Sequence, residues 1–325
     1  MKETIEGREL FALNQFDVIL RGTYHRPRAD KTGAETEHSG REQVGMLFLP
    51  GLSAIRSAKG DSAVYWADAF ADHGYPSFRL DLPGFGDSEG DPPAEVLNFI
   101  NDGGFAPAAA LAMDQLALRF NLSGFVVVGH CSGSISAIFA AAANTKCRGL
   151  VLLDPYFYLA QPVKGSKYRR MAHNLALQSR IEKVLIRGYD FSKQVLLSLH
   201  GNGLPENANH RLLHCWKEVS SAGLPILIIK RSDRDGCGAK PRPGEFDYLP
   251  HVLKLAGREA RVVVKVTEGA NHSFANHVGR TAVRHETEQW LDAYFPLAES
   301  GEPTASGSRV EFAHSGMAAE TISAN

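Results

Sequence analysis

The 325-residue sequence is poor in the features that mark a special class of protein. It has four cysteines, Cys131, Cys147, Cys215 and Cys237, and no CxxC pair. That is too few and too scattered for a disulfide framework or a cysteine zinc site, so no metal or other cofactor is expected. No apolar run reaches the ~18 residues needed to span a bilayer. The opening MKETIEGRELFALNQ mixes charge and polarity where a secretory signal needs an apolar stretch. A cytoplasmic protein in a reducing compartment is expected, with no membrane span. Neither sign of charge is in excess: 35 Lys+Arg stand against 36 Asp+Glu, a net charge of -1. Nucleic-acid binding needs a basic surface that displaces counterions, so nucleic acid is not expected as a partner.

What is present fits an ordinary globular chain, with 44% hydrophobic and 22% charged residues. Short β-type runs alternate with helical stretches, the pattern of an α/β protein with a mostly parallel sheet flanked by helices. Phe16 to Tyr24 reads as an opening strand or hairpin, followed by a polar loop from Arg28 to Glu42. Then come apolar runs of strand length: Met46 to Gly51, Pro76 to Gly84, Phe125 to His130, Leu150 to Asp154, Pro225 to Lys230 and Arg261 to Val266. Unbroken apolarity is expected of strands covered on both faces. Asp61 to His73, Ser132 to Asn144 and Arg280 to Phe295 read as helices.

Between Leu150–Asp154 and Pro225–Lys230 the chain runs about seventy residues without a strand pattern, far beyond a connection of ~2 to 6 residues. The spacing predicts a helical insertion over 161–222 between two parts of one core, 1–160 and 223–297. Residues 298–325, rich in Ser, Gly, Ala, Glu and Thr, carry too little apolar surface to offset ordering, and a disordered tail is expected there.

The richest segment is FVVVGHCSGSISAIFAAAA, a β run leading through Gly129-His130-Cys131-Ser132-Gly133 into a helix. A sharp strand-to-helix turn of the form G-x-Nu-x-G exposes the central side chain, and the glycines keep the turn free of collisions. The central residue here is Cys131; Ser132 is out of register and offers its main-chain N–H instead. The plain alternative is a small buried hydrophobe at a strand end. Three further segments occur in a matching order. Leu49-Pro50-Gly51-Leu52 follows the first parallel run, Arg79-Leu-Asp81-Leu-Pro-Gly84-Phe-Gly86-Asp-Ser88 follows the second, and Glu268-Gly-Ala-Asn-His272-Ser-Phe follows the last. A dinucleotide fingerprint is the rival reading of the second, but Asp87 and Glu89 would repel a pyrophosphate.

Taken together these segments resemble the α/β-hydrolase superfamily over Phe16 to Phe295, in a form with a cysteine nucleophile. The resemblance implies Cys131 as nucleophile and His272 as base. It implies an oxyanion hole from the main-chain N–H groups of Leu52, with Ser53 next in line, and Ser132. The acid is expected after the strand Pro225–Lys230, where Arg231-Ser-Asp233-Arg-Asp235-Gly offers two carboxylates. Asp235 is favoured, Asp233 is the alternative, and Asp154 is a third, weaker candidate.

Cysteine-bearing relatives in the family include dienelactone hydrolases and polyhydroxyalkanoate synthases, and the chain matches neither over its full length. The segment Arg169 to Val195 is similar to the lid of exosortase-associated hydrolases and of acyl-handling enzymes in biosynthetic clusters. Its Arg169, Arg170, Lys183 and Arg187 suit either an anionic carrier or a solvated face. A cysteine at a helix N-terminus beside a histidine attacks as the thiolate, and its acyl adduct is itself a thioester. Three functions stay open. The first is an esterase, thioesterase or acyltransferase working through acyl-Cys131 on a small-molecule substrate, free or carrier-bound. The second is a lyase or cyclase of natural-product biosynthesis using His272 as base. The third is a non-catalytic binding protein on the same fold.

Overall fold

The computed structural model describes residues 7–15, 17–28, 43–52, 54–159, 204–232 and 246–297. The chain opens on a hairpin, β1 (Arg8–Gln15) with β2 (Val18–His25), registered Arg8 opposite His25. The opening strand or hairpin expected over Phe16 to Tyr24 covers the second arm and not the first. Only Phe11 and Leu13 of β1 are buried, so its apolar content is too sparse to announce a strand. Then follow β3 (Val44–Leu49), α1 (Ser62–Asp72), β4 (Ser77–Leu80), α2 (Val96–Asn101), α3 (Ala106–Phe120), β5 (Gly124–His130) and α4 (Ser132–Ala143). The order continues with β6 (Cys147–Leu153), α5 (His210–Ser221), β7 (Ile226–Arg231), α6 (Tyr248–Ala256), β8 (Val262–Thr267) and α7 (His277–Tyr294).

Among the described residues these strands form one eight-stranded sheet in the order β1-β2-β4-β3-β5-β6-β7-β8. It is parallel from β4 to β8, and β2 joins β1 and β4 antiparallel. Both faces are covered, which explains the unbroken apolar runs. Along β5 to β7, Val127, Leu150, Leu152, Ile226 and Ile228 face the side packed by α3, α4 and α5. Their neighbours Val126, Val128, Val151, Leu153, Leu227 and Ile229 face α1 and α7. The alternation follows from the two-residue period of a strand.

The expected insertion ends on a helix that belongs to the core. In α5, Leu212, Leu213, Trp216 and Val219 are buried and pack with the α4 side of the sheet, and Trp216 Nε1 donates to the Val252 carbonyl at 2.7 Å. Its apolar residues lie three and four apart on one stripe, the arrangement that seals a helix onto a sheet. The helix is short and its other face polar, so the sequence alone did not separate it from the insertion. Residues 160–203 and 298–325, which include the basic segment and the expected tail, lie outside the described residues.

Candidate active site

Four polar side chains, Cys131, Asp154, Arg231 and His272, stand at or just beyond the carboxyl ends of neighbouring strands. Cys131 follows β5 with φ 53° and ψ -114°, a left-handed conformation that strains any side-chain-bearing residue. Both flanking glycines are there for space: a Cβ on Gly129 would lie 2.4 Å from the Gly133 carbonyl oxygen, and one on Gly133 2.6 Å from that of Leu49. The Cys131 N–H donates to the Leu153 carbonyl at 2.8 Å, tying the turn to β6. Ser132 is 1% exposed at the start of α4, while Cys131 is partly open and lines the cavities at the site.

On β6, one strand over, Asp154 follows Leu153 with φ 50°, and its N–H donates to the Ile229 carbonyl at 2.9 Å. Its carboxylate, 7% exposed, receives two donors on the same Oδ2: His272 Nδ1 at 3.0 Å and Arg231 Nε at 2.9 Å. Burial would raise the Asp154 pKa, but the bond from His272 and the charge of Arg231 outweigh it and hold the group below the usual carboxylate range. Arg231 closes β7, so a cation stands at the end of that strand and the carboxylate at the end of its neighbour.

His272 sits in the loop after β8. The loop is pinned by Asn271, whose side-chain oxygen accepts from Ala275 N, and by Asn276, which donates to the Gly269 carbonyl and caps α7 through Gly279 N. Phe274, fully buried with φ 50°, anchors its far side. Hydrogen bonds to Asp154 and to Cys131 push the His272 pKa up to about 9, against the opposing effect of burial. The imidazole thus bridges thiol and carboxylate. A second histidine braces it: His130 Nε2 donates to the His272 carbonyl at 2.7 Å, and burial pushes the His130 pKa down to about 4. That bond fixes the proton of the neutral His130 on Nε2.

Leu52 lies beside the thiol at the wall of the same cavities, and Ser132 N opens α4 next to it. The loop carrying Leu52 is fastened from beneath by the Arg79–Ser88 segment. Asp81, fully buried, accepts from the Arg56 N–H at 2.6 Å and from the Arg56 guanidinium. It also accepts from Asp87 N at 3.1 Å, while Ser88 Oγ donates to the Asp81 carbonyl at 2.7 Å. A Cβ on Gly86 would sit 2.3 Å from the Asp81 carboxylate, so only glycine allows that approach. The motif is structural support for the loop above it.

Of the residues expected at the site, Cys131, His272, Leu52 and Ser132 come together. Asp235, Asp233 and Ser53 lie outside the described residues, and the carboxylate that meets the imidazole is Asp154. Asp154 had a signal in the sequence, an acidic residue closing an otherwise apolar run. Arg231 carries the same kind of signal, a charged residue just after the neighbouring apolar run. Among the described residues no group of three or more His, Cys, Asp and Glu side chains is placed to hold a metal ion, and no helix is long and apolar enough to cross a membrane.

A family profile described as the alpha/beta hydrolase fold matches residues 46–200. No curated protein matches the chain significantly. Among solved structures, the Pyrococcus furiosus esterase Pf2001 superposes with TM-score 0.57 at 14% identity, covering 88% of this chain and 91% of that one. The structure of DcsB in complex with its substrate analogue gives 0.54 at 16% identity, covering 88% and 99%. Est1E from Butyrivibrio proteoclasticus, with ferulic acid bound, gives 0.51 at 14% identity, covering 86% and 99%. The chain has the α/β-hydrolase fold.

Proposed function

We propose that this chain, which has the α/β-hydrolase fold, is an acyl-processing enzyme that works on esters or thioesters through an acyl-Cys131 intermediate. The observation that carries the reading is the continuous chain from Cys131 through His272 to Asp154, with Nδ1 and Oδ2 3.0 Å apart. His272 takes the thiol proton, and the thiolate attacks the carbonyl carbon as the C–S bond forms. The C=O electron pair moves to oxygen, where the main-chain N–H groups of Leu52 and Ser132 receive it. The electron pair then returns, the bond to the leaving group breaks, and the imidazolium protonates the departing oxygen or sulfur. Water or an acceptor alcohol, amine or thiol next gives its proton to His272 and attacks the acyl carbon, releasing Cys131. Asp154 keeps the imidazole oriented and stabilises its charged form throughout.

Both the fold and the esterase among its structural neighbours support carbonyl chemistry at this site. Intact-protein mass after rapid quench with acyl thioesters and activated esters tests it. The expected result is an acyl increment on the wild type, mapped to Cys131 and missing in Cys131→Ala. Substantial turnover by Cys131→Ala, with no adduct on the wild type and none of that turnover in His272→Ala, would transfer the site to base-driven elimination or cyclisation.

A further inference from the structure

Two cavities meet at the thiol. One, of about 380 Å3, lies over the ends of β6 and β7, and the other, of about 410 Å3, lies beneath the loop that carries Leu52. Cys131, His272 and Leu52 belong to the walls of both. Hydrolysis of a small ester needs one cavity and water, so two of similar size imply a substrate with a substantial group on each side of the scissile bond. Their walls say which group goes where. Asn271, His272 and Ser273, three consecutive residues of the histidine loop, line the second cavity. A leaving group must be protonated by His272 as it departs, so it belongs on that side, and the acyl arm belongs in the first cavity.

The first cavity has an aromatic wall. Tyr156 and Tyr158 have ring centroids 4.9 Å apart, Tyr158 and Tyr248 6.1 Å, and Tyr248 and Phe246 4.8 Å, all within the range of direct aromatic contact. A row of rings at this spacing is matched by another planar ring better than by a flexible alkyl chain. One polar group on that wall is unsatisfied: the Tyr248 hydroxyl is buried and has no hydrogen-bond partner among the described residues. Buried hydroxyls are rarely left so, because the unmade bond is costly. Burial pushes the Tyr248 pKa up to about 12, so the group is a neutral donor at working pH. Lys230 lines the same cavity and favours an electron-rich ligand over a cationic one.

We propose that the cavity walled by Tyr156, Tyr158, Phe246 and Tyr248 takes the acyl arm, and that this arm is an aromatic acyl group bearing an oxygen substituent that Tyr248 hydrogen-bonds. The assignment of the arm rests on the acyl-Cys131 reading. The assignment of the cavity to an oxygenated aromatic ring does not, and the two are separable by experiment.

N-acetylcysteamine thioesters of 4-hydroxybenzoate, benzoate and cyclohexanecarboxylate provide the kinetic arm, each kcat/KM divided by the rate of the same thioester with hydroxide. A preference of at least about tenfold for 4-hydroxybenzoyl over cyclohexanecarbonyl is expected. Tyr248→Phe should bring the ratio of 4-hydroxybenzoyl to benzoyl close to one. Equilibrium dialysis of 4-hydroxybenzoate and cyclohexanecarboxylate against Cys131→Ala reads the cavity without any chemistry, and the same order is expected. Equal binding of the two acids overturns the proposal. Aryl preference in dialysis with no acyl adduct from any thioester sinks the acyl-enzyme and the arm assignment together, leaving the aromatic cavity. A preference that follows aryl leaving groups in place of aryl acyl groups would place the ring in the wrong arm and overturn it.

Discussion

The molecule contains two histidine–aspartate pairs that look alike and behave oppositely. His25 Nδ1 lies 2.7 Å from Asp68 Oδ1, and His272 Nδ1 lies 3.0 Å from Asp154 Oδ2. In each pair an arginine Nε donates at 2.9 Å to the aspartate oxygen that the imidazole uses, Arg8 to Asp68 Oδ1 and Arg231 to Asp154 Oδ2. The first pair has a second arginine, Arg79, whose Nε donates to His25 Nε2 at 2.7 Å. That placement decides the outcome. Burial and the Arg79 charge push His25 down to about 4, despite Asp68, whereas His272, with a thiol on its free side, is pushed up to about 9. A His–Asp contact is therefore no signature of catalysis by itself. The group on the far side of the imidazole makes one pair a neutral strut and the other, in the proposed mechanism, a proton carrier.

The comparison is broken most sharply by conservative changes at the two carboxylates. Asp154→Asn should lower kcat by about a hundredfold or more, since it removes the charge that stabilises the imidazolium. Asp68→Asn should leave kcat within about twofold and lower stability by about 1 to 2 kcal/mol, the scale of a weakened charged hydrogen bond. Steady-state rates and denaturant melts on the two variants read both quantities. Asp235→Asn is the control on the loop after β7: a large loss there, with little at Asp154, would give the acid role to Asp235.

A smaller and reciprocal effect is expected from pH. The folded-state pKa of His25 lies below its unfolded value of 6.5, so the unfolded chain binds the proton more readily. The contribution of His25 is complete above pH 6.5 and is lost as pH falls towards about 4, by at most about 3 kcal/mol for a side chain 1% exposed. His272 runs the other way: its pKa is raised, so its contribution is complete below pH 6.5 and is lost as pH rises through about 9. Half of its side chain is exposed, and solvent screening makes that loss the smaller one. Melts between pH 4 and 9 should show the acid-side loss shrinking in His25→Leu and the alkaline-side loss shrinking in His272→Leu.

The thiols divide on the same principle. Cys147 is fully buried and its pKa is pushed up to about 12, and burial also raises Cys215. Cys131 touches His272. Limiting iodoacetamide followed by peptide mapping should label Cys131 at least about tenfold faster than Cys147. Faster labelling of Cys147 would argue against an activated Cys131.

How much of this was readable in the sequence depended on whether a residue's task is local. The G-x-C-x-G turn is local: flanking glycines, an apolar strand before and an Ala-rich helix after are all contiguous, and Cys131 stands where that pattern puts it. The six apolar runs became strands for a similarly local reason: β3 to β7 are largely buried on both faces, and β8, at the sheet edge, is half-buried yet keeps its run of valines. The acid is not local. Asp154 and Arg231 are 77 residues apart, and only the pairing of β6 with β7 brings them onto one oxygen. A sequence shows two charged residues closing two apolar runs, and nothing in it says that the runs are neighbours. The helix His210–Ser221 was obscured differently, because its buried stripe is the only mark separating it from the long stretch before it.

Arg231 gives the finest test of the comparison. In the inert pair Arg8 sits on the carboxylate and Arg79 on the imidazole, which stays neutral; in the candidate site Arg231, 14% exposed, sits on the carboxylate and shares Oδ2 with the imidazole. Arg231→Gln keeps much of the length and a donor but removes the charge. Asp154 should then favour the imidazolium more strongly, because a nearby positive charge no longer opposes it. The alkaline limb of the kcat profile, which marks loss of the His272 proton, should move to higher pH, while kcat at its maximum stays within about tenfold of wild type. A purely structural arginine would lower stability and leave the limb where it was. A shift to lower pH would mean that Arg231 holds Asp154 in the orientation His272 needs, and that this orientation outweighs its charge.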